Sequence, residues 1–204
     1  FPPQHNFDSR PLVSYVVPVV NHAKWLERSV RSLEVTQRHD YEVIFVNCGS
    51  KDRSMLVCQE LAKRDDHFVC LEDDFGTVPQ GIDAGIQQAC GTFFFVWSPS
   101  MAVDSRFGDA VDALLSTEAD VLFVDSSMRF VVDAMRAEKT VSLDQSSISC
   151  SPNAVDCYIS SPFVPGAISD FLFNCSSPAI RSSFYRRSMV LEHNLKHIDA
   201  DVAG

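Results

Sequence analysis

The feature that most restricts the fold is a series of short apolar runs that alternate with segments of helical periodicity. The runs lie at 12–17, 41–46, 68–71, 93–97 and 121–124. Continuous apolar runs of this length are typical of strands buried on both faces of a parallel sheet. The segments between them place apolar residues three or four positions apart, as at Leu26, Val30 and Leu33, which predicts amphipathic helices. The alternation predicts a three-layer α/β/α domain with a mostly parallel central sheet, in which the most apolar run, 93–97, should be central.

Polar residues, proline and glycine mark the expected ends of the helices. Asn21 is predicted to cap the first helix, and Ser50 or Asp52 the second, because short polar side chains accept hydrogen bonds from unpaired N–H groups of a first turn. Pro79 suits the first turn of the third helix, and Gly91 suits the segment that follows it.

From residue 126 onward the alternation ends. The stretch 129–135 is expected to add a strand, and 142–178 is rich in Ser, Pro, Cys and Asp, which predicts a long loop over one face of the sheet. A short amphipathic helix is expected around Met189. We therefore expect a single domain over residues 1–204.

The composition excludes some classes of function. A chain of 204 residues can bury roughly 70% of its unfolded surface, and 46% hydrophobic with 22% charged residues is ordinary for a globular domain. The net charge of −10 repels nucleic acid and anionic membranes. No apolar stretch is long enough to span a bilayer. The glycine motifs of P-loop, dinucleotide-binding and serine-hydrolase proteins are absent from the sequence.

The cysteines favour a reducing compartment. The sequence has 7 cysteines and no Cys-x-x-Cys pair, which argues against a zinc site. Several lie in apolar runs, as Cys70 does, where the thiol acts as a small hydrophobic group. We therefore expect reduced thiols and a cytoplasmic location. Because the sequence begins with Phe1 rather than Met, we expect it to have been cut from a longer chain. We also expect it to be part of a multidomain protein.

Segments at the ends of the predicted strands carry a resemblance to a known family. Ligands of open α/β sheets bind beyond the carboxyl ends of the strands, so these segments are where a family's binding residues are expected. They are 16–21 (VVPVVN), 46–54 (VNCGSKDRS), 82–85 (IDAG) and 91–96 (GTFFFV). In order and spacing they resemble the family-2 glycosyltransferases of the GT-A fold, over about 13–125. A looser similarity continues at 184–188 (FYRRS).

The resemblance implies binding of a nucleotide sugar and transfer of the sugar to an acceptor hydroxyl. It implies that 1–125 forms the nucleotide-binding half and 126–204 the acceptor-side half. The nucleotide-binding positions that it implies are Pro18, Val19, Val20, Asn21, Asn47, Gly49, Asp83, Ser98 and Ser100. The side-chain oxygen of Asn47 can accept a hydrogen bond from a uracil N–H, which favours a UDP sugar.

The departures from the family pattern fall on charged positions. The second strand of these enzymes typically ends in two aspartates, where this chain has Asn47 and Cys48. An arginine of the third helix is replaced by Ile82. The metal-binding Asp-x-Asp at the end of the central strand is replaced by Ser98 and Ser100, although Mg²⁺ and Mn²⁺ sites normally include carboxylates.

Two sets of residues could replace the missing charges. Asp73 and Asp74 are weak candidates to hold Mn²⁺ or Mg²⁺, and the alternative is a solvated acidic turn. Arg181, Arg186 and Arg187 could bind a diphosphate, because guanidinium groups match phosphate oxygens, and the alternative is a solvated basic face.

Simple structural roles remain open for the other positions. Asn47 and Gly49 suit a tight strand-to-helix turn, in which Gly supplies unusual backbone angles and Asn a side-chain hydrogen bond. Asp83 near the start of a helix is favourable for the helix dipole alone.

The acidic base that should deprotonate the acceptor has no assigned residue. The run 194–201 (NLKHIDAD) resembles the segment that precedes this base in the family, so we expect the base beyond Gly204. Two functions stay open: a glycosyltransferase, and a catalytically inactive module that keeps the fold for binding or scaffolding.

Overall fold

A computed structural model describes residues 10–99, 101–103, 106–116, 118–123, 129–130, 139–140 and 183–194. The strands are β1 (Val13–Val19), β2 (Tyr41–Asn47), β3 (Phe68–Asp74), β4 (Phe93–Val96), β5 (Val121–Phe123), β6 (Arg129–Phe130), β7 (Lys139–Thr140) and β8 (Ser183–Arg186). The helices are α1 (Leu26–Arg31), extended by a 3-10 helix (Ser32–Thr36), α2 (Ser54–Arg64), α3 (Val78–Gln88), α4 (Arg106–Ala113) and α5 (Arg187–Glu192).

The main sheet has the strand order β3-β2-β1-β4-β8-β5. β1 is parallel to both β2 and β4, with Val16 opposite Ile44 on one side and Val96 on the other, and β3 is parallel to β2. The carboxyl ends of these four strands therefore lie at one edge, called the carboxyl edge below. β4 lies inside the sheet, as its apolar sequence predicts.

β8 was not predicted as a strand, although its segment was recognised as similar to the family. It lies between β4 and β5 and is antiparallel to both, with Phe184 opposite Phe95 and Leu122. It therefore extends the sheet with residues from near the end of the described chain. β6 and β7 form a separate antiparallel pair. The predicted loop at 142–178 lies outside the described residues.

The core occupies both faces of the sheet, because alternate residues of a strand point to opposite faces. Val13, Tyr15 and Val17 pack with apolar residues of α1, α2 and α4. Val16 belongs to the cluster on the other face, with residues of α3 and α5 such as Ile86. This arrangement confirms the three-layer α/β/α fold.

Two sequence predictions about helices are wrong, and one of the two candidates for the cap of α2 is excluded. Asn21 does not cap α1, which begins only at Leu26 after Trp25 with no side-chain cap. Ser50 does not cap α2, whereas Asp52 supplies a carboxylate oxygen 2.9 Å from the N–H of Ser54. Asp83 is not near a helix start, because α3 already begins at Val78 after the capping side chain of Thr77.

Candidate nucleotide-binding site at the carboxyl edge

The loops that follow β1 and β2 are joined by hydrogen bonds at the carboxyl edge. The Val19 carbonyl accepts from the Cys48 N–H (3.0 Å) and from the Ser50 hydroxyl (2.9 Å). The Ser50 Oγ also accepts from the Asn21 N–H (3.2 Å), and the Asn21 side-chain oxygen accepts from the Lys51 N–H (2.8 Å). We call residues 19–23 and 47–54 the β1–β2 clasp.

Two further bonds extend the clasp towards α2. The His22 N–H donates to the Ser54 Oγ (2.7 Å), and the Ala23 N–H donates to the Asp52 Oδ2 (3.3 Å). Asn21 has a positive φ of 54°, a backbone conformation that asparagine tolerates better than most residues. Its side chain therefore fixes this turn and does not cap a helix. The Asn and Ser side chains make the clasp a preformed surface.

Asn47 stabilises the tight turn after β2, which is one of the two roles that the sequence predicts for it. Its Oδ1 accepts from the Ser50 N–H (3.0 Å), and its backbone carbonyl accepts from the Phe75 N–H (3.0 Å). Gly49 has φ = 89°, which requires glycine here, and a Cβ on it would stand 3.4 Å from the Gly76 carbonyl. An amide oxygen has two acceptor positions, so the half-buried Asn47 keeps capacity for a ligand hydrogen bond.

The residues at the end of β1 form the floor of this edge. Pro18 and Val19 are buried in the strand, so their side chains support the site from below. Val20 is half-buried, and its N–H donates to the Nδ1 of His22 (3.3 Å). Of this group, Val20 and the exposed Asn21 reach the surface.

Cys48 has a packing role in place of the family's aspartate. It is only 4% exposed, and its Sγ lies so close to α3 that a Cβ added to Gly81 would approach it to 2.3 Å. Burial raises the pKa of the Cys48 thiol to about 11, so the group stays neutral. The similar approach of Gly85 to Val16, at 2.4 Å from an added Cβ, seats α3 directly on the sheet.

At the end of β4, Trp97 is fully buried and Ser98 is exposed. The Ser98 carbonyl accepts from the Met101 N–H (2.9 Å), which closes a turn. Ser100 lies outside the described residues. Ser98 is thus a surface residue at the position for which the resemblance implies a metal-binding carboxylate.

The described residues do not fit a Mn²⁺ or Mg²⁺ site. Asp73 and Asp74 lie in β3 itself, not in a loop, because a register shift after Val46 sets Asp74 opposite Asn47. Both carboxylates are exposed, and Asp74 accepts from the Gly76 N–H (2.9 Å). In the described ranges, no group of three or more His, Cys, Asp or Glu side chains is arranged to hold a metal ion.

Asp83 and the arginines lie away from the carboxyl edge. Asp83 is in the middle of α3, which runs from this edge towards the opposite one. Arg186 contacts the Phe93 ring (4.7 Å), the Ala119 carbonyl (3.0 Å) and the Asp120 carboxylate (3.2 Å). Because Phe93 begins β4, this is the amino edge of the sheet.

Arg187 likewise binds protein carbonyls, those of Ile86 (3.0 Å) and Gln87 (3.1 Å) at the end of α3. The antiparallel direction of β8 brings both arginines to the amino edge, so they do not bind a diphosphate at the carboxyl edge. The alternative of a simple solvated basic face is also wrong, because both side chains have protein partners. Arg181 is outside the part of the chain that the structure describes.

Three serines have bridging roles that were not predicted from the sequence. Ser50 and Ser54 join the loops of the clasp, and Ser29 of α1 is only 2% exposed and contacts the turn after β4. A signal for Ser29 was present, because it lies between the apolar positions Leu26 and Val30 on the side of α1 that faces the core.

Comparisons with known proteins agree with this architecture. Residues 14–99 match the family described as Glycosyl transferase family 2. The chain is 35% identical over 83 residues to the uncharacterized glycosyltransferase EpsJ of Bacillus subtilis (strain 168), an alignment of 41% of this chain and 24% of EpsJ. It is 24% identical over 185 residues to the putative glycosyltransferase EpsH of the same organism, covering 91% of this chain and 50% of EpsH.

Among solved structures, the chain is similar to S. aureus TarS 1-349 in complex with UDP-GlcNAc, with a TM-score of 0.63 and 18% identity. That alignment covers 91% of this chain and 48% of the TarS chain. The complex of TarS 1-349 with UDP gives a TM-score of 0.62 at 17% identity. The sequence thus spans at most about half the length of each of these proteins.

In the described residues, no helix has the length and apolar character needed to cross a membrane. The chain therefore has the GT-A fold, and its residues 14–99 are similar in sequence to the family-2 glycosyltransferases.

Proposed function

We propose that this domain binds a nucleotide sugar, with UDP sugars favoured, at the β1–β2 clasp, and that the protein transfers the sugar to an acceptor hydroxyl. The observation that carries the proposal is the clasp itself, in which the half-buried Asn47 and the surface positions Val20 and Asn21 meet at the carboxyl edge. Ligands of open α/β sheets bind at this edge. The complexes of TarS, a protein of the same fold, with UDP and UDP-GlcNAc support the choice of base.

The reaction would be a direct displacement at the anomeric carbon. The acceptor oxygen forms a bond to this carbon, the bond to the diphosphate oxygen breaks, and a base takes the acceptor proton. The departing diphosphate needs stabilisation of its charge. Since the described residues do not fit a metal site, the Ser98 hydroxyl is the group that we propose for this task.

The test is calorimetry of the chain with UDP-GlcNAc and with a GDP sugar, together with two variants of Asn47. Asn47→Ala removes the acceptor for the uracil N–H and should weaken UDP-GlcNAc binding about 2–13-fold, the equivalent of one ordinary hydrogen bond. Asn47→Asp keeps an oxygen acceptor for both Ser50 and the base, and should retain affinity.

The two variants test the side-chain oxygen of Asn47, and both are measured well below their melting temperatures because Asn47→Ala also removes the acceptor of the Ser50 N–H. A loss of affinity in Asn47→Ala with retained affinity in Asn47→Asp supports a contact through this oxygen. Equal affinity in all three proteins, or a preference of the chain for the GDP sugar, would show that Asn47 does not bind the base of a UDP sugar.

A binding or scaffolding module without catalysis is the second candidate. It is favoured by the neutral side chains that follow β2 and β4, where Cys48 is buried and uncharged and Ser98 carries a hydroxyl. Such a module would bind the nucleotide sugar but would not turn it over, so an assay of sugar transfer separates it from the enzyme.

A further inference from the structure

The turn after β4 is attached to α1 through one buried hydroxyl. Ser29 accepts a hydrogen bond from the indole Nε1–H of Trp97 (2.7 Å) and donates to the Met101 carbonyl (2.5 Å). Its oxygen is also 3.4 Å from the Ser98 carbonyl. Ser29 and Trp97 are 2% and 0% exposed, so water does not compete for these bonds.

A second hydroxyl of the same helical segment holds the far side of this turn. The Ser32 Oγ donates to the Ser29 carbonyl (2.6 Å) and accepts from the Val103 N–H (3.1 Å). Ser29 and Ser32 are three positions apart, so they lie on the same face of the helix. Ser29 of α1 and Ser32 of the 3-10 helix therefore hold the turn at Met101 and Val103, in addition to the turn's own bond from the Met101 N–H to the Ser98 carbonyl.

We propose that Ser29 is a positioning residue for the sugar donor: it sets the backbone of the turn that presents Ser98 to the diphosphate. This rests on the proposed function, in which Ser98 lies at the donor site. The physical reason is that a charge-stabilising group has to be held in place before the ligand arrives. The resemblance implies a carboxylate at the position of Ser98, and in this chain a buried Trp–Ser–carbonyl chain orders the turn.

The position of Ser29 predicts which part of the ligand will respond to its loss. The clasp of β1 and β2 holds the side proposed for the nucleoside, whereas the turn after β4 holds the side proposed for the diphosphate and sugar. Ser29→Ala should therefore weaken binding of UDP-GlcNAc about fivefold to tenfold, near the loss of one buried hydrogen bond. Binding of UMP, which has neither the second phosphate nor the sugar, should stay within about twofold.

A matched control is Thr36→Val, which removes a hydroxyl that bonds only within its own helical turn, to the Leu33 carbonyl (2.7 Å). The parent chain, Ser29→Ala and Thr36→Val are also compared by amide hydrogen exchange without ligand. In Ser29→Ala the segment 98–103 should exchange faster, while β1 and β2 remain as in the parent chain. Thr36→Val should leave the exchange of 98–103 unchanged.

The outcomes separate this inference from the function on which it rests. Equal losses of UDP-GlcNAc and UMP affinity in Ser29→Ala, or unchanged exchange at 98–103, would show that Ser29 has only a general structural role. A parent chain that binds neither ligand would contradict the proposed function, and the donor role of Ser29 with it. Binding of both ligands by the parent with an unchanged affinity ratio in Ser29→Ala would contradict this inference alone.

Discussion

Replacing Trp97 with alanine should lower the free energy of unfolding by about 3–5 kcal/mol, the usual cost of removing a large buried aromatic side chain. Trp97 is 0% exposed and its ring lies against those of Tyr15 (5.4 Å between centroids), Phe95 (6.1 Å) and Phe107 (5.8 Å). The variant also leaves the Ser29 hydroxyl without its indole donor. Domains of this kind are stable by only about 5–15 kcal/mol, so we expect the urea concentration at the midpoint of unfolding to fall markedly. Far-UV circular dichroism measures this midpoint.

The second tryptophan provides the matched control. Trp25 is only partly buried, at the start of α1, where the Lys24 ammonium lies 4.8 Å from its ring. Trp25→Ala should therefore cost much less than Trp97→Ala. Equal urea midpoints for the two variants would contradict the assignment of Trp97 to the core between β4 and α4.

The 204-residue chain should transfer sugar to a supplied acceptor about 10²–10⁴-fold more slowly than an enzyme with a positioned general base. Asp52 and Asp74, two described carboxylates at the carboxyl edge, accept backbone hydrogen bonds from Ser54 and Gly76. The hydrogen bonds from Ser54 also lower the pKa of Asp52, which weakens it as a base. A typical enzyme turns over at about 10 s⁻¹, so we expect about 10⁻³–10⁻¹ s⁻¹ for this chain.

The assay has to follow both the sugar transferred and the UDP released, because water can also accept the sugar. The same measurement on a version extended past Gly204 separates the two functions. Regained transfer would support the glycosyltransferase, and nucleotide binding without transfer in both versions would support the binding module. Turnover of about 1 s⁻¹ by the 204-residue chain would show that a base is present within it.

The order of the first five strands and the helices between them could be predicted from the sequence, because these strands are buried on both faces of the sheet. The runs that became β1 and β2 are apolar apart from Ser14 and Glu42, and they are buried in the structure. β8 was missed for a physical reason: it is short, it lies between a Ser-rich segment and two arginines, and its antiparallel pairing depends on residues distant in sequence. A four-residue strand has too few residues for a periodicity to be evident.

The meeting of the β1 and β2 loops at the carboxyl edge could be predicted from the sequence, whereas most of the hydrogen bonds between them could not. The turn of Asn47 and Gly49 followed from their residue types, whereas Asn21 was assigned to a helix because its side chain can cap either a helix or a turn. The sequence could not show that Arg186 and Arg187 lie at the amino edge, away from the proposed phosphate site. The edge at which they lie depends on the direction of β8 in the sheet, which is a property of the tertiary structure. Charge alone did not reveal their carbonyl partners.

The most direct test of nucleotide-sugar binding without a carboxylate metal site is the affinity of the chain for UDP-GlcNAc, measured by calorimetry with and without Mn²⁺. We expect binding in both conditions, with affinities that agree within about threefold, since Ser98 supplies no charge and Asp73 and Asp74 do not form a metal site with other described residues. Failure to bind in either condition would contradict the proposed site. A tenfold or greater gain with Mn²⁺ that is lost in an Asp73→Asn/Asp74→Asn double variant would show instead that this acidic pair holds the metal.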